Sequence, residues 1–257
     1  MPPHDWLIPD WPAPAHVRAV STTRHGGVSR GNYYSMNLAA HVHDDEQAVM
    51  QNRSRVQQLL GLRNQPHWLD QYHSTRIVDI DRAEPDYRAD GSTVTKVETV
   101  CAVMTADCLP VLLTDRKGLR VAALHTGWRG LADGILEAGV KKFSPADDVL
   151  AWLGPAIGPE KFEVGEEVVS RLSTKMEYNN VTQEGWCRES TKKGKWLVDI
   201  YKLASLRLLM SGVTEVSGGN YCTFTDQQRF FSHRRQGDCG RMATLIWLDH
   251  QAGAGQT

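Results

Sequence analysis

The chain has 257 residues, with 29 basic and 30 acidic side chains for a formal charge of −1. That balance lacks the positive excess on which nonspecific nucleic-acid binding draws, and no apolar run approaches the roughly 18–20 residues of a membrane span. Met1-Pro2-Pro3-His4-Asp5-Trp6 has no basic-then-apolar leader pattern, so a cytoplasmic, soluble protein is expected. The five cysteines include no CxxC pair, which argues against a disulfide framework.

Residues 1–14, rich in Pro and Trp, read as an extended arm lying on the body, and 252–257 as a frayed tail. Short runs of Val, Ile, Leu and Thr predict strands at 17–21, 77–80, 100–105, 110–113, 121–124, 149–153 and 243–248. Nearly continuous hydrophobicity in Val121-Ala122-Ala123-Leu124 suits strands covered on both faces. Helical spacing predicts helices over 47–60, after the cap candidates Asp44 and Asp45, and over 131–143, 161–172 and 198–210. A hairpin-like pair around 107–115 breaks any repeating βαβ scheme. The pattern predicts one α+β domain with mixed sheet layers and helices outside.

Three side chains stand at predicted strand ends: His73, Cys108 and His125. His125 closes the apolar run before Thr126-Gly127-Trp128-Arg129-Gly130, and Cys108 lies in a turn fixed by Pro110. Two imidazoles and a thiolate suit a zinc ion with an open fourth position, which activates water or polarises a substrate oxygen. Their separations, 35 and 17 residues, match no short metal motif. Three unrelated rim residues, or a metal-free Cys108–His125 dyad, fit the sequence equally. Asp90 and Asp107 are either turn residues or partners that orient a ligand histidine. Arg24 before Gly26-Gly27, Arg53, Arg129 and Asn37 are the further polar candidates, with ordinary turns and salt bridges as alternatives. The stretch 221–235 could wall a pocket for a planar ring or simply pack.

Taken in order, Thr23-Arg24-His25-Gly26-Gly27, Asn37-Leu38, Asn52-Arg53, Gln71-Tyr72-His73, Ala89-Asp90-Gly91, Ala106-Asp107-Cys108-Leu109-Pro110, His125-Thr126-Gly127-Trp128-Arg129-Gly130 and Phe231-Ser232-His233-Arg234-Arg235 form a familiar series. The chain resembles the YfiH-type laccase-domain family, whose members carry the names polyphenol oxidase and purine nucleoside phosphorylase. The likeness runs from about Thr22 to Trp247, with Ser74 where glycine is usual and Met242 where a polar residue is common.

The resemblance implies a single four-layer α/β/β/α domain over 1–257, of YfiH-like, cysteine-hydrolase type, with zinc on His73, Cys108 and His125. It implies phosphorolysis of adenosine, inosine, guanosine and methylthioadenosine, and hydrolytic deamination of adenosine. Arg24, Arg53 and Arg129 are then the phosphate candidates and Asn37 a ribose or base contact. The partners are small molecules, not nucleic acid or membrane, and the protein is a monomer or weak homodimer. Older members suggest copper-dependent phenol oxidation instead, and others the correction of peptidoglycan precursors. A non-catalytic protein with structural zinc fits less well, since closed sites use four protein ligands.

Overall fold

The computed structural model describes residues 5–82, 86–143, 148–177 and 185–250. In chain order the strands are β1 (Val17–Ser21), β2 (Ile77–Asp79), β3 (Gly91–Val94), β4 (Val100–Thr105), β5 (Leu109–Asp115), β6 (Val121–Thr126), β7 (Val149–Leu153), β8 (Glu163–Gly165), β9 (Cys187–Glu189), β10 (Lys195–Val198), β11 (Glu215–Gly218) and β12 (Met242–Leu248). The helices are α1 (Glu46–Leu60), α2 (Trp128–Asp133), α3 (Ile135–Val140), α4 (Glu166–Glu177), α5 (Ile200–Met210) and α6 (His233–Gln236). None is long and apolar enough to cross a membrane.

Two sheets stack face to face. The smaller runs β1-β12-β4, all antiparallel, and the larger runs β11-β7-β5-β6-β3-β2 with parallel pairs at both edges. Alternation along each strand builds the layers. In β4, Cys101 and Val103 face the larger sheet, while Val100, Ala102 and Met104 face Val56 of α1. In β5 and β6, Leu112, Val121 and Ala123 face the smaller sheet. Leu109, Val111, Leu113, Ala122 and Leu124 face α2, α3, α4 and α5. The result is α1, sheet, sheet, then the other long helices: the four-layer α/β/β/α order. A separate three-stranded sheet, β8-β10-β9, lies beside α4.

Several sequence boundaries move for physical reasons. The run 131–143 is not one helix: Gly134 adopts φ +109, breaking α2 from α3. The run 161–172 begins as strand, because 163–165 pairs with β10, and the helix starts only at Glu166. Likewise Val198 belongs to β10, and Asp199 caps α5 by accepting from the Lys202 N–H. β4 and β5 do not form a hairpin. The chain crosses from one sheet to the other through 106–108, and β5 pairs with β6 and β7. Within the arm, Trp6 and Leu7 are buried and Leu7 bridges to Ser21, while the predicted frayed tail lies outside the described residues.

One buried ion pair ties the helical layer together. Arg207 of α5, fully buried, donates to Glu137 of α3 and to the Leu131 carbonyl of α2. Arg207→Ala leaves the Glu137 carboxylate uncompensated, and chemical denaturation should show a loss of about 3–5 kcal/mol. The double replacement R207L/E137L, which removes both charges, is expected to recover most of it.

Candidate metal centre

Register explains why residues distant in sequence converge. β5 and β3 each run antiparallel to β6, with Leu109 opposite Thr126 and Gly91 opposite Leu124, and β2 lies parallel to β3. The end of β6 and the starts of β5, β3 and β2 therefore share one edge of the larger sheet. That edge carries His125, Cys108, Asp90 and His73. Among the described residues, His73, Cys108 and His125 are the one group of three or more His, Cys, Asp or Glu side chains placed to share a metal ion, with ligand atoms within 4.8 Å of one another. The Cys108 sulfur lies 3.7 Å from His73 Nε2. Two ligands of one tetrahedral zinc are separated by roughly 3.5 Å, given Zn–S near 2.3 Å and Zn–N near 2.0 Å.

Asp90 assembles this group. Fully buried, its carboxylate accepts from three successive amides, Tyr72 (3.3 Å), His73 (2.9 Å) and Ser74 (2.6 Å), and from the Ser74 hydroxyl (2.7 Å). His73 sits in the left-handed region, φ +65, which turns those amides toward one anion. The same carboxylate meets His125 Nδ1 at 2.8 Å, leaving the other ring nitrogen for the cluster. Burial opposes ionisation of Asp90, but hydrogen bonds from His125 and Ser74 outweigh it and hold the carboxyl down at about 2.

Without an ion the sulfur and the His125 ring form a thiolate–imidazolium pair, whose ring proton a metal ion would displace. Burial disfavours a charge on Cys108, yet the His125 and His73 imidazoles bring its thiol down to about 6. Burial likewise opposes protonation of His125, which the Cys108 sulfur and Asp90 nonetheless raise to about 9. A thiolate is the metal-binding form of cysteine. Space is also reserved: a Cβ on Gly127 would lie 2.6 Å from His73 Cδ2 and 3.1 Å from the Cys108 sulfur. Two imidazoles, one thiolate and a neighbour without a side chain fit a metal ion.

The trio lines a cavity of about 460 Å³, within the range of small-molecule sites. Trp128, Ile157, Phe162 and Ile200 contribute an apolar side, and His41, His233, Arg129, Arg234 and Arg241 contribute cations or potential cations. Among the described residues Asp107 is the one lining carboxylate, and both its oxygens are engaged, by the Thr223 hydroxyl and the Arg234 amide. It anchors the turn to α6 and does not orient a ligand histidine, unlike Asp90.

Three of the polar candidates lie elsewhere. Arg24 donates to the carbonyls of Tyr34 and Gln227 and stacks on Phe231. Gly27 is tightly enclosed, its absent Cβ only 2.1 Å from the Ser35 carbonyl oxygen, so this turn packs against protein. Asn37, fully buried, bonds to Ala39, Asp44 and the Arg241 amide. Arg53 donates to the Leu38 carbonyl and covers Trp68. None of the three lines the cavity; Arg129 does. In 221–235, Phe230 and Phe231 are core, and His233 and Arg234 alone reach the cavity. His41 and Arg241 line it too, though the sequence offered only a polar loop and a residue before a strand as signals.

The model of the multi-copper polyphenol oxidoreductase laccase family matches residues 18–249. The chain belongs to that family. A purine nucleoside phosphorylase of Pseudomonas aeruginosa is 50% identical over 248 residues, covering 95% of this chain and 98% of its own. The Escherichia coli purine nucleoside phosphorylase YfiH is 45% identical over 245 residues, covering 94% and 98%. A Neisseria meningitidis protein of known crystal structure superposes with a TM-score of 0.86 at 46% identity, over 96% of this chain and 100% of that one. YlmD from Geobacillus stearothermophilus gives 0.79 at 30% identity, over 92% and 93%. The fold is thus shared with these solved structures.

Proposed function

We propose that the chain forms one catalytic domain, a zinc-dependent purine nucleoside phosphorylase acting on adenosine, inosine, guanosine and methylthioadenosine, which also deaminates adenosine hydrolytically. The observation that carries this reading is the His73–Cys108–His125 cluster, locked by Asp90, on the wall of a cavity rich in cations and free of any unengaged carboxylate. Three protein ligands leave a zinc coordination position open to a reactant, as catalytic sites do. The names of the relatives from Pseudomonas aeruginosa and Escherichia coli support the same reading.

When bound, the metal would supply a Lewis acid able to polarise a substrate oxygen or activate water. The chain's own residues do the rest. Trp128 and Phe162, over whose rings Arg129 and Arg234 lie, form the apolar side against which a purine would pack. The arginines hold phosphate, whose oxygen forms the new bond to the anomeric carbon as the glycosidic C–N bond breaks. The electron pair leaves on the purine, which takes up a proton. Arg129 and Arg234 are exposed and line the cavity, well placed to draw an anion inward.

Copper-dependent phenol oxidation, which the family's name carries, needs several coupled coppers to reduce dioxygen. The described residues offer one three-donor group, and His43, two residues from His41, is engaged by Asp238. The test incubates the purified protein with inosine and phosphate, and separately with a phenol. Hypoxanthine and ribose 1-phosphate should form in equal amounts without added metal, and phenol oxidation only with added copper. Phenol oxidation by the protein as isolated, with no hypoxanthine, would reverse the reading.

A further inference from the structure

The cavity wall carries donors on one side that nothing in the fold explains. Arg241 is half-buried, and only one of its terminal nitrogens is engaged, by the carbonyls of Cys239 and Gly240 and the Cys239 sulfur. Its Nε and second amino group make no hydrogen bond among the described residues. The ring of His41 makes none either, and burial and the nearby charges of Arg241 and Arg53 lower its pKa. Thr105, at the end of β4 opposite Met242, has a buried hydroxyl with no partner. Gln71, on the same wall, is committed both ways to the Met104 backbone and offers no free acceptor.

Two side chains first read as substrate contacts build this corner. The Asn37 amide oxygen accepts from the Arg241 N–H at 2.9 Å, and the Leu38 N–H donates to the Arg241 carbonyl. Asn37 also spans Ala39 and Asp44, bracing the loop that carries His41. Arg53 fastens that loop through the Leu38 carbonyl and reaches the Met104 sulfur on β4. The hydrogen bonds thus bring a guanidinium and an imidazole to one wall, where Asp238 acts on Arg241 and Asp70 on His41 through space but, among the described residues, no carboxylate forms a direct ion pair with either. Unpaired donors in a partly dehydrated recess are costly unless a ligand meets them.

We propose that Arg241 and His41, with the Thr105 hydroxyl beside them, form an oxyanion subsite, positioned by Asn37 and Arg53, that takes inorganic phosphate. The subsite deepens the phosphorolysis reading and rests on it for the identity of the anion. Phosphate then lies on the Arg241 side of the His73–Cys108–His125 group, with the purine toward Trp128 and Phe162 and the anomeric carbon between.

The test uses the metal-loaded protein, with titration calorimetry against inorganic phosphate and the phosphate KM at saturating inosine. Arg241→Met and His41→Gln should each weaken phosphate tenfold or more in both measurements, as loss of a charge-assisted hydrogen bond does. Metal content and inosine KM should stay within twofold, and Arg241→Lys should recover part of the loss. Thermal midpoints identify a variant that fails to fold, in which case His41→Gln and Arg241→Lys decide. Unchanged phosphate affinity in those variants, loss confined to Arg129→Met or Arg234→Met, or no phosphate binding by the wild type would each overturn the subsite. Phosphate binding that depends on Arg241 in a protein that cleaves no nucleoside would leave the subsite standing and remove the phosphorolysis reading.

Discussion

Gly127→Ala is expected to yield a folded protein that no longer holds its metal. Gly127 has φ −68 and ψ 160, a conformation open to any residue, so alanine brings no backbone strain there. What alanine lacks is room. Its methyl would sit 2.6 Å from His73 Cδ2, 3.2 Å from His73 Nε2 and 3.1 Å from the Cys108 sulfur. The atoms in the way are side-chain atoms, and the imidazole can swing aside at little cost to the fold. The ring then points away from its position 3.7 Å from the sulfur. Metal content by plasma mass spectrometry should fall from about one equivalent to below a tenth, with an unchanged circular dichroism spectrum. Turnover should drop at least as far as in Cys108→Ala, which removes a ligand outright. Full metal occupancy in Gly127→Ala would show that the ion, if any, sits elsewhere.

The reach of sequence reading followed the physics of each signal. Continuous apolar runs such as 121–124 marked the buried strands, because a strand covered on both faces keeps every residue apolar and four residues are too few for a buried helix. Gly91-Ser92-Thr93-Val94 gives no such signal, yet becomes β3, because pairing with β6 and β2 decides its conformation. The short strands β8, β9 and β10 were likewise invisible: their pairing is long-range, and 163–165 reads locally as the start of a helix. His73, Cys108 and His125 stood out as strand-end residues, but their convergence depends on register, which no spacing rule contains. Asn37 and Arg53 illustrate the converse. Polar residues near a site look like ligand contacts, whereas here their hydrogen bonds are spent on backbone groups that shape the wall.

Asp90→Asn should strike metal affinity and acid stability together, through different bonds. The carboxylate accepts from three amides, one hydroxyl and one imidazole N–H, and a neutral amide must turn an N–H toward one of these donors. The loop 72–74 and the His125 ring lose their common anchor, and metal affinity should fall 10- to 100-fold, measured by competition with a chromogenic chelator. For stability, the sign follows from the carboxyl's pKa, about 2 in the folded protein against roughly 3.9 when unfolded. A depressed pKa means stabilisation that is present above the unfolded value and vanishes as pH falls through the folded one. The metal-free wild type should therefore lose about 2 kcal/mol from this group between roughly pH 4 and pH 2. The substituted amide cannot titrate, so the variant starts less stable at pH 7, and its denaturation midpoint should vary less across that window. An equal acid slope in both proteins would show that Asp90 carries no net charge stabilisation, and that the amides of 72–74 are held by the fold alone.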